Sequence, residues 1–293
     1  MSAKSFERVT AGAEVNVAVA ISRLGLKSQY FSRFGNDQLG SVMLADIAAE
    51  GVDVSLAKRV NSYTGAMVRN PGKSAPVELS YLRKGSAAST IEPSDILDSY
   101  ISSARWVHTT GITCAISQSG ADTVKIALEK AAAMNVKSSF DLNIRRKLWS
   151  EAQAREVLEP LAKNIDLLIG GEDEYLAVFG GQDPKDILTE ANRRGCKIAV
   201  MTKGDQKMRY SINGNYAELT PPKVLAVDPV GSGDAFTGGV IAGLLSGMKA
   251  EQALEQGSIC GALVASMFGD WTGIPTGVAG VVSNQIVQKV RGN

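Results

Sequence analysis

Short β-rich runs alternate with longer amphipathic stretches along most of this 293-residue chain, and that order limits the folds open to it. SQYFSRF (28–34) reads as a strand, and a helix is expected over 38–50. RWVHTTG (105–111) reads as a strand end, followed by a helix over 117–134. VKSSFDL (136–142) is a strand, after which Ser150 caps a helix to about 161. DLLIG (166–170) and KIAVMTKG (197–204) are further strands, the first leading into the acidic helix start GEDEYLAVF. Strands taken in turn with helices imply a mostly parallel sheet covered by helices on both faces.

Two places break the rhythm. From 62 to 88 there is no helical period; TGAMVRN and PVELSYLRKG read as two strands joined by the turn-rich NPGKSA, a small β excursion outside the main sheet. MRYSI and YAELT flank the turn NGN in the same way. No internal repeat or low-complexity linker is evident, so a single α/β domain is expected over 1–293. Its last 25 residues are Gly- and Val-rich, then polar, and are expected to end in a helix.

The composition excludes several classes. With 31 basic and 30 acidic side chains the net charge is +1, which offers nothing to nucleic acid or an anionic membrane. Any anion site must therefore be local. Cys114, Cys196 and Cys260 are widely spaced with no CxxC pair, as buried thiols in a reducing compartment would be. His108 is the one histidine; a multi-histidine metal site is excluded, and a hydrogen-bonded strand-end residue is expected. The N-terminus lacks the apolar stretch of a signal peptide. No apolar run approaches the roughly 20 residues of a membrane helix. The expectation is a soluble, cytoplasmic protein.

The strongest chemistry lies in DPVGSGDAFTGGVIAGL (228–244). A strand is expected to end near Val227, and Pro229 keeps Asp228 extended. Gly231, Ser232 and Gly233 then form a tight turn into an apolar helix starting at about Asp234. Such a turn aims backbone N–H groups and the helix dipole at a multiply charged anion. A carboxylate there would repel phosphate. Asp234 makes sense if it takes a proton from an attacking hydroxyl while the turn holds the transferring phosphoryl group; the plainer alternative is a helix cap after a glycine turn. No Gly-Lys-[Ser/Thr] follows, so this is not a Walker A loop.

The longer string resembles the C-terminal signature of the PfkB, or ribokinase-type, carbohydrate kinases. AGAEVNVAVAISRLGLKSQYFSRFGNDQLG (11–40) resembles their N-terminal signature. The resemblance implies a ribokinase-like three-layer α/β/α sandwich with a small β lid, drawn from about 5–12 and 62–88. It makes Asp234 the catalytic base and the Gly231-Ser232-Gly233 backbone the anion hole. Gly12 would let a substrate approach the backbone closely, and Asn16 would offer its amide to sugar hydroxyls. Lys203 and Gly204, in MTKGDQ (201–206), would flank the ATP groove, and the stretch from Gly269 and Asp270 to Pro275 resembles the loop near the adenine. ATP and Mg²⁺ are implied, with a monovalent cation left open.

Three further strings narrow the resemblance to the 2-keto-3-deoxygluconate kinases: YLRKGSAAS (81–89), TTGITCAIS (109–117) and FDLNIRRKLWS (140–150). The physical chemistry agrees with an acidic sugar. Tyr81 and Arg83 are two residues apart and face one side of a strand. Arg145 follows a strand end, where open parallel sheets place ligands. Arginine suits bidentate binding of carboxylate; taken singly, both arginines also read as surface or ion-pair residues. The reaction expected is phosphorylation of 2-keto-3-deoxygluconate to its 6-phosphate. Alternatives are a kinase for fructose or a deoxy-keto-gluconate isomer, or a catalytically compromised relative that binds nucleotide or sugar acid.

Three departures from the pattern stand out. Relatives usually carry more residues ahead of the segment matching 5–12, including a first strand expected to be missing here. Met67 stands where the subfamily often has Tyr. Gly171 replaces the Asn of the family's Asn-x-x-Glu, which weakens a metal-orienting role for Glu174. As lids do in many relatives, the excursion at 62–88 is expected to pair with a second copy, giving a homodimer or a dimer of dimers.

Overall fold

A computed structural model of the chain describes residues 5–69 and 79–276. In chain order its elements begin with α1 (Ala13–Arg23), β1 (Arg33–Gly35), α2 (Gln38–Ala49), β2 (Lys58–Val60), β3 (Ala66–Arg69) and β4 (Leu79–Leu82). Next come α3 (Asp98–Ser102), β5 (Trp106–Thr110), α4 (Gly111–Ile116), α5 (Gln118–Ala133), β6 (Lys137–Asp141), α6 (Glu151–Leu161) and β7 (Leu167–Gly171). The rest are α7 (Glu172–Phe179), α8 (Pro184–Arg193), β8 (Ile198–Thr202), β9 (Met208–Ile212), β10 (Asn215–Leu219), α9 (Ser232–Leu245) and α10 (Ala250–Ala265). They fall into two compact units, one of 31–41 and 57–220, the other of 1–30, 42–56 and 221–293.

The first unit holds a six-stranded sheet in the order β10-β9-β8-β7-β6-β5. β5 to β8 run parallel, and β9 and β10 close one side as an antiparallel hairpin. This is the mixed central sheet, with helices on both sides, of an α/β sandwich. β6, β7 and β8 are buried nearly end to end, as parallel strands covered on both faces are. Phe140, Leu158, Leu168, Tyr175, Leu188 and Met201 lie in one core cluster. The Tyr175 hydroxyl, buried with them, donates to the carbonyl of Leu168 at 3.0 Å. Ser150 caps α6 as expected, in a reciprocal box with Gln153. The NGN turn has Asn213 at φ 49° and Gly214 at φ 88°, the left-handed pair that a two-residue hairpin needs.

The second unit is built on α1, α9 and α10. Helix α9 is buried from Asp234 to Gly243, and its small residues let neighbouring helices come close. A Cβ at Gly239 would lie 2.8 Å from the Cα of Gly257, and one at Gly238 would lie 2.4 Å from the Cβ of Ala20. Ala20, Leu24, Ala235, Ala242, Cys260 and Val264 form the core of this unit.

Several expectations change. SQYFSRF is a strand only at its end, as β1, which pairs parallel with β2; a single bridge joins Gln29 to Asp53. The polar alternation there supports one short ladder and no more. No strand precedes the glycine turn: 221–227 is irregular, and Val227 and Asp228 donate instead to the carbonyl of Ala265. Residues 5–12 form no strand, so the lid strand expected there is absent. β3 and β4 do form an antiparallel pair with Met67 opposite Tyr81. The NPGKSA turn and the expected C-terminal helix beyond 276 lie outside the described residues. His108 sits mid-strand, its Nδ1 2.9 Å from Ser139 Oγ and its buried Nε2 without a hydrogen-bond partner among the described residues. All three cysteines are buried and in no disulfide among the described residues. Among the described residues no helix is long and apolar enough to cross a membrane.

Candidate active site

The glycine turn of the second unit has the expected form. Gly231 is left-handed at φ 81°, and a Cβ there would lie 2.4 Å from the carbonyl oxygen of Asp270. Conformation and packing both require glycine. Helix α9 starts at Ser232, slightly earlier than expected, and the Ser232 hydroxyl turns back to the carbonyl of Pro229 at 2.7 Å. Gly233 has no heavy atom within 4 Å of a Cβ position, so its face of the turn is open. Asp228 is tied in by the N–H of Val230 at 3.1 Å.

Asp234 is 9% exposed and Asn16, on α1, only 2%. The Asn16 amide donates to Asp234 Oδ2 at 2.7 Å and to Asp270 Oδ2 at 3.2 Å, while its carbonyl accepts from the N–H of Gly12 at 3.4 Å. The amide expected to face sugar hydroxyls makes these contacts inside the protein. Asp270, 6% exposed, is the member that sequence reasoning missed. It lies 254 residues from Asn16 in the chain, and the loop resemblance pointed at adenine rather than at a carboxylate. At Gly12 a Cβ would meet nothing closer than Val15 at 3.4 Å, so the chain itself does not demand glycine there.

In the first unit, the Arg83 guanidinium lies 3.9 Å over the Tyr81 ring, on the shared side that their spacing implies. Burial, chiefly, holds its pKa below the usual arginine value; Tyr81 opposes that shift and the positive charge of Arg145 adds to it. Its Nε and Nη2 are buried without a hydrogen-bond partner among the described residues. Arg145 is exposed on the loop after β6, where Asn143 takes a left-handed φ of 36°. That loop is held from below by Glu174, which accepts from the N–H of Ile144 at 2.6 Å and of Gly171 at 2.8 Å. Burial is the main cause raising the Glu174 pKa.

Both oxygens of Glu174 thus serve the backbone. Among the described residues no group of three or more His, Cys, Asp or Glu could hold a metal. In this structure Glu174 ties the Arg145 loop. Lys203 is paired with Glu172 at 2.7 Å, and Glu172 also pairs with Arg209 at 3.3 Å. Gly204 is left-handed at φ 58° with open space around it.

A glycine turn at a helix N-terminus with a carboxylate beside it, and a sandwich on a mixed sheet, fit the class of phosphoryl-transferring enzymes with the ribokinase-like fold. The pfkB family carbohydrate kinase model matches residues 1–277, and the chain belongs to that family; it is an ATP-dependent carbohydrate kinase. Among curated relatives, a 2-dehydro-3-deoxygluconokinase of Bacillus subtilis is 32% identical over 276 residues, covering 93% of this chain and 85% of the relative. The crystal structure of a 2-dehydro-3-deoxygluconokinase from Thermotoga maritima superposes with a TM-score of 0.87 at 25% identity, covering 100% of this chain and 92% of that one. A putative ribokinase II of Escherichia coli, solved with ATP and Mg²⁺, shares the fold at a TM-score of 0.88 and 24% identity, with 98% of this chain and 92% of that one covered.

Proposed function

We propose that this kinase phosphorylates 2-dehydro-3-deoxygluconate (2-keto-3-deoxygluconate) at its primary hydroxyl, giving the 6-phosphate. The observation that carries the reading is the pair Arg83 and Arg145. The charge of Arg145 acts on Arg83, whose buried Nε and Nη2 have no hydrogen-bond partner among the described residues, and it also acts on the Glu174 carboxylate. A half-buried guanidinium such as that of Arg83, with hydrogen-bond donors unused, is costly. A carboxylate on the substrate would relieve it, bound through charge-assisted hydrogen bonds. Tyr81, under Arg83, would fix the plane of the fork.

In the chemical step Asp234 accepts the hydroxyl proton as that oxygen bonds to the γ-phosphorus of ATP, and the bond to the β-phosphate bridge breaks to release ADP. The N–H groups of the Gly231-Ser232-Gly233 turn stabilise charge on the transferring group. Mg²⁺ arrives with ATP as part of that substrate. Gly204 and Lys203, the latter steadied by Glu172, would flank the nucleotide, and Gly12 would admit the sugar close to the backbone.

The test is ATP turnover on a panel holding the sugar acid, its C4 epimer, gluconate, fructose and ribose. The acid should be preferred. Arg145→Ala should raise KM for the acid by roughly 10–150-fold, the worth of about 1.5–3 kcal/mol, and leave a neutral sugar almost untouched. An unchanged acid-to-neutral ratio of kcat/KM in both Arg83→Ala and Arg145→Ala would overturn the sugar-acid reading and leave the sugar-kinase class intact.

A further inference from the structure

The Asn16 carboxamide has two N–H donors and one carbonyl, and the fold uses all three. One hydrogen goes to Asp234 Oδ2 at 2.7 Å, the other to Asp270 Oδ2 at 3.2 Å, and the carbonyl takes the Gly12 N–H. All three side chains are at least nine-tenths buried. An ionised carboxylate only accepts, so Asp270 settles which end of the amide faces the carboxylates. With the amide orientation locked, its other hydrogen is held on Asp234 Oδ2 and restrains that carboxyl group. We propose that Asn16 is a positioning residue for the catalytic base, and that Asp270 holds Asn16 in the orientation this requires. The inference rests on Asp234 being the base and not on which sugar is used.

A group that binds sugar and a group that aims the base leave different kinetic marks. Losing a ground-state contact raises KM; losing the aim of a proton acceptor lowers kcat. Misplacing a reacting group by about 1 Å costs on the order of 10²-fold. The experiment takes the full chain, ATP and whichever sugar the wild type turns over fastest. It measures kcat and KM for Asn16→Leu, which keeps the volume without the donors, and for Asp270→Asn, which keeps shape and loses the charge. Each is also made in the Asp234→Asn background, and thermal unfolding is followed throughout.

Expected are a fall in kcat of ~10–100-fold for Asn16→Leu, a smaller fall in the same direction for Asp270→Asn, and KM values within about threefold of wild type. In the Asp234→Asn background the Asn16→Leu effect should vanish, because the group it aims is gone. A rise in sugar KM at unchanged kcat would make Asn16 a sugar ligand and overturn the proposal. So would a lowered unfolding temperature with unchanged kinetics, or a full Asn16→Leu effect persisting without Asp234. Full activity of Asp234→Asn alone would instead remove the base assignment, a failure separable from the others.

Discussion

Arg83 is costly to keep where it is. Its guanidinium is part-buried, depressed in pKa chiefly by that burial, and stacked on Tyr81 rather than paired with an acid. Cation–π contact returns about 0.5–2 kcal/mol, less than a buried charge-assisted pair would. Asp234 sits in the first turn of α9, where the helix dipole favours a carboxylate and where that carboxylate would stand beside any external anion the glycine turn attracts. Asp234→Asn should keep the Asn16 contact and the fold yet lower kcat by about 10²–10⁴-fold, the range for a lost general base. KM for ATP should hardly move. Steady-state kinetics with an unfolding curve checks this, and near-normal turnover would remove Asp234 from the mechanism. The placement of Asp234 beside the glycine turn was legible in the sequence because the Gly-Ser-Gly-Asp string is local. That of Asp270 was not, because nothing near it in the chain announces a partner on α1.

At the scale of elements, the interior strands were readable from continuous apolar runs, and β6, β7 and β8 appear within a residue or two of their expected bounds. The NGN hairpin was readable from turn chemistry. SQYFSRF was not, because its alternation of polar and aromatic residues is common to strands and to irregular segments, and tertiary pairing left it only β1. Glu174, expected from a motif to orient a metal, has a carboxylate that also ties the Arg145 loop to the start of α7; a motif gives spacing but not the contacts of a side chain. Small residues carry the helix packing of the second unit. Gly239→Ala would force a methyl to 2.8 Å from Gly257 Cα and 3.0 Å from Cys260 Sγ. Overpacking of that kind costs about 1–3 kcal/mol, so urea unfolding should show that loss. Gly247→Ala lies in open space but at φ 85°; it too should destabilise, through backbone strain alone.

For the whole molecule, two properties follow from side chains that the catalytic reading does not use. His108 is the sole histidine, and burial lowers its pKa from 6.5 to about 3. The unfolded chain therefore gains a proton near pH 6.5 that the folded chain refuses until about pH 3. Stability from this group is complete above pH 6.5 and falls as pH drops between those values, by at most about 1.4 kcal/mol per pH unit. Denaturation at pH 7, 6 and 5 should show the slope, and His108→Phe should flatten it. An unchanged slope would place its origin elsewhere.

The second property is association. β3 and β4 form a two-stranded ladder with no third strand among the described residues, and such a ladder is marginal alone in water. Tyr81 and Arg83 occupy one side of it; Leu82 points to the other and is 58% exposed, and Tyr63, just before the ladder, is 48% exposed. Apolar side chains on the face turned away from the proposed substrate contacts have no ligand to cover them, and a second copy of the same ladder supplies a self-complementary cover with two-fold symmetry. We propose a dimer formed in this way. Light scattering at micromolar concentration should give twice the chain mass. Leu82→Lys, which leaves Tyr81 and Arg83 in place, should shift it to monomer, because a charge would be buried unpaired at the centre of the contact. Wild type running as a monomer, or Leu82→Lys remaining a dimer, would show that the ladder is not the contact.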